Sequence, residues 1–312
     1  MKQAIQSFSV IIPTYNRPQR LKDCLNAVAG LDYPRDSFET IVVDDGSSAS
    51  PEPLIEPFRD CLEIKFLAQK NAGPAAARNI AAQNAKGDFL AFTDDDCMVS
   101  PKWLSTFADN LSKNPDTLAG GLTVNALPEN PFSSASQLLI SYLYQYYEDN
   151  AGMSRFFTSN NIAVPTTIFN RMGGFEVTRL RATAEDREFC YRWLHHGYRM
   201  AYIPEALVYH AHNLTLRSFY YQHFNYGRGA FYYHNSRARR SGEGVKIEPL
   251  SFYMNMMRYP FLQHDRRRAF SSAALLTISQ AANASGFLWE KIRQRLFGSF
   301  PVSENENDKL FS

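Results

Sequence analysis

Cysteine is scarce and scattered in this chain. Its 312 residues hold four, Cys24, Cys61, Cys97 and Cys190, far apart and with no CxxC pair. That spacing excludes a zinc knuckle and a disulfide scaffold, and it fits a reducing compartment. A strong charge of one sign is also missing. The net charge is +2, so there is no overall polyanion signal and nucleic acid is not an expected partner. The opening "MKQAIQSFSVIIP" has no long apolar region followed by small residues, so no signal peptide is read there. Without a secretory context the sequons at 213–215 and 283–285 carry little weight. "GK" occurs nowhere, which excludes a P-loop, and "IIPTYNRP" stands where a dinucleotide fold would carry GxGxxG. No internal repeat or low-complexity tract stands out.

What is present is material for a core. Hydrophobic residues make up 45% of the chain, enough for a packed interior. "FSVIIP" (8–13) is a β-branched run stopped by proline, which reads as a buried strand. "FETIVVDD" (38–45), "LEIKFLAQ" (62–69) and "DFLAFT" (88–93) read as further strands. Between them, "RPQRLKDCLNAVAGL" (17–31) puts Leu21, Cys24, Leu25 and Val28 on one helical face. "GPAAARNIAAQNAKG" (73–87) reads as a helix with Pro74 in its first turn and Gly87 as its stop. Strands alternating with helices imply βαβ units, an α/β class with a mostly parallel sheet. Helices are also expected over 100–115, 134–150 and 184–200, and strands over 119–127, within 160–175 and over 200–212.

Two of the expected strands end in carboxylates: Asp44 and Asp45 after "TIVV", and Asp94, Asp95 and Asp96 after "FLAFT". Like charges about 4 Å apart repel by roughly 4 kcal/mol at an effective dielectric near 20. In an open α/β sheet, ligands bind at that strand edge. If the strand continues, Asp94 and Asp96 project to one side and Asp95 to the other. Two converging carboxylates suit a hard divalent cation, Mg²⁺ or Mn²⁺, and so a substrate carrying phosphate. A haloacid-type phosphatase would need D-x-D-G-[TS]; "VVDDGSS" has Asp45, Gly46 and Ser47 in frame, but Val43 stands at the nucleophile position. A nucleotide-diphosphate site without a glycine-rich loop remains.

Six stretches then come in a telling order: "SVIIPTYNRPQRL", "IVVDDGSS", "NAGPAAARN", "FLAFTDDDC", "GGF" and "AEDREFCYRWLHHGYRM". Over roughly residues 7 to 212 the chain resembles family 2 glycosyltransferases, inverting enzymes of bacterial type with the GT-A fold. The resemblance implies a Rossmann-like nucleotide-diphospho-sugar transferase fold, followed here by a C-terminal helical extension. It implies transfer of a sugar from a nucleotide diphosphate, UDP favoured, to a hydroxyl of a glycan or lipid-linked acceptor, as in cell-surface polysaccharide synthesis. Pro13, Thr14, Tyr15, Asp44, Asp45, Asn71, Gly73, Arg78, Asp94 and Asp95 would hold the nucleotide. Asp96 and His210 would hold Mn²⁺ or Mg²⁺. Asp186 would be the general base, with Glu185 orienting the loop or touching the acceptor. Asn160, Asn161, Gly173 and Gly174 would lie near the sugar or acceptor. His212 is a weaker metal candidate, and His195 and His196 read as surface or packing residues. The processive synthases' QxxRW motif is missing after the base, since "CYRW" (190–193) lies on the expected helix itself. One sugar at a time is therefore expected. The alternatives are a non-catalytic nucleotide-sugar-binding protein and a nucleotidyltransferase.

The expected organisation is a catalytic domain at 1–213, with a nucleotide half at 1–100 and an acceptor half at 101–213. A basic, aromatic helical extension covers 214–300 and a disordered tail 301–312. Residues 269–289 carry no charge, which matches a membrane span in length. The polar residues dispersed through them favour a buried or interfacial helix instead. The expected location is cytoplasmic, with peripheral contact at the inner face of the cell membrane through the extension.

Overall fold

A computed structural model describes residues 5–148, 154–177, 184–241 and 248–297. β1 (Phe8–Thr14) leads into α1 (Pro18–Ala29), β2 (Phe38–Asp44), the single turn α2 (Glu52–Ile55), β3 (Ile64–Ala68), α3 (Pro74–Gln83) and β4 (Phe89–Phe92). The chain continues through β5 (Cys97–Val99), α4 (Trp103–Leu111), β6 (Thr117–Asn125), α5 (Pro131–Tyr147), β7 (Ile162–Pro165), α6 (Thr166–Arg171), α7 (Glu185–His195) and β8 (Arg199–His210). The helices α8 (Leu216–Ser241), α9 (Leu250–Gln263) and α10 (Arg266–Phe297) follow. The tail at 301–312 lies outside the described residues.

The strands form one sheet in the order β3-β2-β1-β4-β7-β6-β8-β5. β3, β2, β1 and β4 run parallel, as do β6 and β8. β7 is antiparallel to β4 and β6, and β5 is antiparallel to β8. β1 is covered on both faces, so its apolar run is continuous. Phe8, Val10 and Ile12 pack with α1 and α4, whereas Ile11 packs with α3 and α7. β2 splits likewise, with Phe38 and Val42 on one face and Ile41 and Val43 on the other. Trp103 and Trp193 anchor the two layers and are fully buried.

This order has a functional consequence. β1 lies between β2 and β4, and the chain leaves it in opposite directions along the sheet. A crevice opens outside the carboxyl ends of strands at such a switch point. Thr14, Asp45 and Asp94–Asp96 all come at or just beyond those ends.

The helical extension packs onto the rest of the protein. Leu138, Leu139 and Tyr142 of α5 join Phe252 and Met256 of α9 and Leu276 of α10 in one cluster. α8 and α10 touch through backbone: a Cβ on Gly227 would lie 1.8 Å from the Asn283 carbonyl, and one on Gly286 1.9 Å from that of Phe224. Among the described residues, no helix is long and apolar enough to cross a membrane.

Gly87 is not the stop of α3. That helix ends at Gln83 with Asn84 as its C-cap. Gly87 is needed instead because β1 passes close by: a Cβ there would lie 2.5 Å from the Phe8 carbonyl carbon.

Candidate active site

β4 ends at Phe92, and the three aspartates do not continue it. Residues 95 and 96 form a turn, closed by the Cys97 N–H donating to the Asp94 carbonyl at 3.1 Å. The expected pairing of Asp94 with Asp96 is therefore corrected. Arg17 Nη1 bridges Asp95 at 3.2 Å and Asp96 at 3.1 Å, while Asp94 turns to Arg78 Nη2 at 2.5 Å. Arg20 adds a contact to Asp96 at 2.9 Å, and the Thr14 hydroxyl donates to Asp95 at 2.8 Å. These cations answer the repulsion among the aspartates. Burial pushes Asp95 up to about 6 against the pull of Arg17. Burial also opposes ionisation of Asp96, but its hydrogen bond to His210 and the nearby cations outweigh that and lower its pKa.

His210, the last residue of β8, places Nε2 3.2 Å from Asp96 Oδ1. β8 pairs with β5 directly after the aspartates, with Cys97 opposite His210, and so delivers the imidazole to this point. Burial disfavours the imidazolium, yet the hydrogen bond and charge of Asp96 raise the His210 pKa. His212 stacks on His210 at 4.9 Å. Asp96, Cys97 and His210 bring a carboxylate oxygen, a sulfur and an imidazole nitrogen within 4.8 Å of one another. The oxygen and nitrogen suit Mn²⁺, whereas Mg²⁺ prefers oxygen alone. Burial holds the Cys97 thiol protonated, which makes it a poor partner for either ion.

Arg78 is the buried hub of the other side. It contacts Glu185 at 3.3 Å through Nη1 and Asp94 through Nη2. Burial opposes its charge, but Asp94 and Glu185 raise its pKa. Glu185 and Asp186 open α7, where the helix dipole favours acids. Asp186 Oδ1 accepts from the Arg187 N–H at 2.7 Å. Enclosure by protein, and next the charge of Glu185, push Asp186 up to about 7. Ala184 just before them has φ of 84°, and Asn16 after β1 has φ of 53°. A left-handed non-glycine residue stores roughly 1–3 kcal/mol of strain, and such residues cluster at functional sites.

These residues line one cavity of ≈ 750 Å³. Pro13, Thr14, Tyr15, Asp45, Asn71, Gly73, Arg78, Asp94, Asp95, Asp96, Asn160, Glu185, Asp186 and His210 all reach it. Tyr15, at 46% exposure, is the most open aromatic residue on the part of the wall next to β1. Asp45 reaches the wall while shaping it: its oxygens accept from Gln69 Nε2 at 2.6 Å, the Ala72 N–H at 2.8 Å and the Gly73 N–H at 2.9 Å.

Four expected site residues are elsewhere. Consecutive residues at a strand end point to opposite sides, and Asp44 faces away from the cavity, where it accepts from the Ser47 N–H at 3.0 Å. Asn161 is fully buried beside a register shift between β6 and β8 at Gly121/Leu122. Its amide donates to the Leu122 and Ala206 carbonyls, both at 2.9 Å, and its oxygen accepts from Trp103 Nε1 at 2.8 Å. It therefore satisfies the backbone that the irregularity leaves unpaired. Gly173 and Gly174, with φ of 78° and 71°, make a left-handed turn outside the cavity lining. The Gly174 carbonyl accepts from Arg192 at 2.6 Å, and a Cβ there would meet Asn79 at 2.5 Å.

Sequence reasoning missed Arg17, although "NRPQRL" carries it, and it missed the cavity wall made by later helices. Ser136, Leu139, Ile140, Leu143 and Tyr147 of α5 line it, with Gln222, Asn225 and Tyr226 of α8 and Asn283 of α10. The spacing from 136 to 147 defines one helix face, but no pattern tells which of the faces of α8 meets the cavity.

An α/β sheet with carboxylates gathered at its switch point defines a nucleotide-diphosphate-binding class of protein, and comparison places it more closely. The sequence model of glycosyl transferase family 2 matches residues 9–185, and the chain belongs to that family. It is 30% identical over 174 residues to the glycosyltransferase AglE of Haloferax volcanii, covering 55% of this chain and 54% of AglE. The chain thus spans about half the length of that curated relative. Its fold is similar to the mannosyltransferase PcManGT from Pyrobaculum calidifontis in complex with GDP-Man and Mn²⁺. That likeness has a TM-score of 0.60 and 18% identity, over 96% of this chain and 78% of that one. It is also similar to S. aureus TarS 1–349 in complex with UDP-GlcNAc. Here the TM-score is 0.56 and the identity 19%, over 96% of this chain and 97% of that one. At such identities the structures establish the fold, which is GT-A.

Proposed function

We propose that the protein is an inverting glycosyltransferase that moves a sugar from a nucleotide diphosphate to an acceptor hydroxyl. The carrying observation is that Asp94–Asp96, Arg78 and Asp186 share one cavity at the sheet's switch point. Tyr15 stacks on the base, and Thr14, Asp45, Asn71 and Gly73 shape its pocket. Asp94 and Asp95 face the ribose side, with Arg78 setting Asp94 in place. UDP is the favoured nucleotide of the donor.

Asp96 and His210 are the residues that would hold Mn²⁺ or Mg²⁺, and their donor atoms fit Mn²⁺ better. A cation held there would neutralise charge on the departing diphosphate. Asp186 takes the acceptor's hydroxyl proton. The freed oxygen bonds to the anomeric carbon, the bond from that carbon to the diphosphate breaks, and its electron pair leaves with the nucleoside diphosphate. One in-line displacement inverts the anomeric carbon. Glu185 holds Arg78 beside Asp94 and so links the base to the donor side. Asn160 contributes an amide on the acceptor side.

The acceptor is a glycan or a lipid-linked saccharide. The division into a catalytic domain at 1–213, with halves at 1–100 and 101–213, and an extension at 214–300 belongs to the same reading. The cluster joining α5 to α9 and α10 supports giving the extension a share of the acceptor side. Peripheral contact with the inner face of a membrane also belongs to it. Phe261, Leu262 and Phe270 are exposed around the α9–α10 turn, next to exposed Arg258, Arg266, Arg267 and Arg268. Phe261 and Phe270 touch with ring centroids 5.1 Å apart. Apolar tips ringed by arginine suit an anionic lipid surface.

The test is turnover of a panel of UDP-, GDP- and dTDP-sugars with Mn²⁺ and Mg²⁺. Release of nucleoside diphosphate with an inverted product supports the proposal. Binding without turnover of any sugar overturns it.

A further inference from the structure

Part of the cavity is built by residues beyond the family match at 9–185. Gln222, Asn225, Tyr226 and Ala230 reach it from α8, and Asn283 from α10. Tyr226 stands out among them. Its hydroxyl oxygen accepts from Gln222 Nε2 at 2.7 Å, one helical turn back. Gln222 Nε2 also reaches Ser136 Oγ of α5 at 3.4 Å, which ties the pair to the neighbouring helix. With the oxygen engaged by the amide, the phenol has its own proton left to give. Among the described residues Tyr226 donates to none, although it lines the cavity.

The surroundings keep that proton in place. Burial first, and then the charges of Asp186, Glu185 and Asp94, drive the Tyr226 pKa well up. It remains a donor throughout the working pH range. Its position is also held. The ring packs edge-on to His223 at 5.4 Å, and the next residue, Gly227, rests against the Asn283 backbone. A hydroxyl fixed in this way is pre-organised and loses little freedom when a ligand binds.

The same cavity has an aliphatic stripe. Leu139, Ile140 and Leu143 present one face of α5 to it, at i, i+1 and i+4. The diphosphate and ribose already have partners at the strand ends, so this stripe is left for the acceptor.

We propose that Tyr226 is an acceptor-binding residue and that the acceptor is amphiphilic. Its reactive hydroxyl donates to Asp186, a neighbouring acceptor oxygen takes the hydrogen bond from Tyr226, and an apolar segment lies on Leu139, Ile140 and Leu143. No proton leaves Tyr226 in the reaction; it orients the acceptor. The inference rests on the glycosyltransferase reading of this cavity.

The experiment uses the full chain with two matched acceptors, the same saccharide with and without an octyl aglycone, and compares wild type with Tyr226→Phe. The octyl acceptor is expected to have a KM lower by roughly tenfold or more, because several methylenes leave water. Tyr226→Phe is expected to raise acceptor KM roughly tenfold, the loss of about one hydrogen bond. UDP affinity measured by calorimetry, and the pH dependence of kcat, stay as in wild type. Equal KM for the two acceptors overturns the amphiphilic assignment. Unchanged acceptor KM in Tyr226→Phe, or an equal loss of UDP affinity, overturns the role of Tyr226. If wild type itself turns over no sugar nucleotide, the parent reading falls and this inference falls with it.

Discussion

Arg78 donates to Asp94 across 2.5 Å from a buried seat on α3. The same guanidinium reaches Glu185, so the strand-end aspartates and the acids of α7 meet on one side chain. Removing it takes away the cation that Asp94 and Glu185 share. Arg78→Met is expected to cost about 3 kcal/mol, the low end for breaking a buried ion pair because Asp94 keeps contact with water. Arg78→Lys recovers only part, since a lysine cannot present the fork that serves both acids. Urea unfolding midpoints check both.

Asp186 carries a pH signature. With its pKa pushed up to about 7, the carboxylate that the proposed role as base requires is present above neutrality and lost below it. kcat/KM is expected to rise with pH through that region and then level off. Stability runs the other way. The folded protein holds the Asp186 proton more tightly than the unfolded chain, so this group lowers stability as pH rises from about 4 to about 7. Asp186→Asn is expected to lose 10²–10⁴-fold in kcat. It should also be more stable than wild type by about 1–3 kcal/mol at pH 8, and no more stable near pH 3. Nucleoside diphosphate affinity, by calorimetry, should be unchanged.

Asn160 and Asn161 are expected to separate cleanly. Asn161→Ala strands two backbone carbonyls and the Trp103 indole N–H in the interior. Each orphan costs about 1–3 kcal/mol, so a large drop in Tm follows. Asn160→Ala, on the cavity wall, should change acceptor or sugar KM with a smaller drop in Tm. Thermal melts beside steady-state kinetics distinguish the two.

Mn²⁺ with UDP is expected to raise the Tm of the wild type, as any ligand of the folded state does. Asp96→Asn and His210→Ala should lose most of that rise, while Asp44→Asn keeps it. A chelator should reverse the wild-type shift.

The α9–α10 turn is expected to bind vesicles containing anionic lipid and to release them as salt rises. Each arginine near such a surface contributes about 1 kcal/mol. Replacing Arg266, Arg267 and Arg268 together with glutamate should therefore abolish co-sedimentation at 0.1 M salt, with thermal stability unchanged. Retention of binding in that variant would refute the docking.

Much of this protein was legible along the chain. The apolar runs that became β1, β2 and β4 declare themselves because both faces of those strands are buried. The helix bearing Glu185 and Asp186 starts where its acids complement the dipole. Asp45 and Asp94–Asp96 were identifiable as strand-end groups, since strand ends at a switch point are where ligand-binding groups gather, whereas Arg78 on α3, Asp186 on α7 and His210 were indicated by the family resemblance.

What the amino-acid order determined was therefore the set of elements and the strand ends that carry chemistry, because periodicity and strand-end carboxylates are local properties. Which side chain faces what was decided in three dimensions. A turn at Asp95–Asp96 sends Asp94 to Arg78 and gives its two neighbours to Arg17. A register shift between β6 and β8 claims Asn161 for the backbone and leaves Asn160 on the cavity wall. Close packing of α8 on α10 brings Tyr226 to the cavity that holds Asp186. Each outcome depends on contacts between residues far apart in the chain, and hydrophobic periodicity carries no information about those.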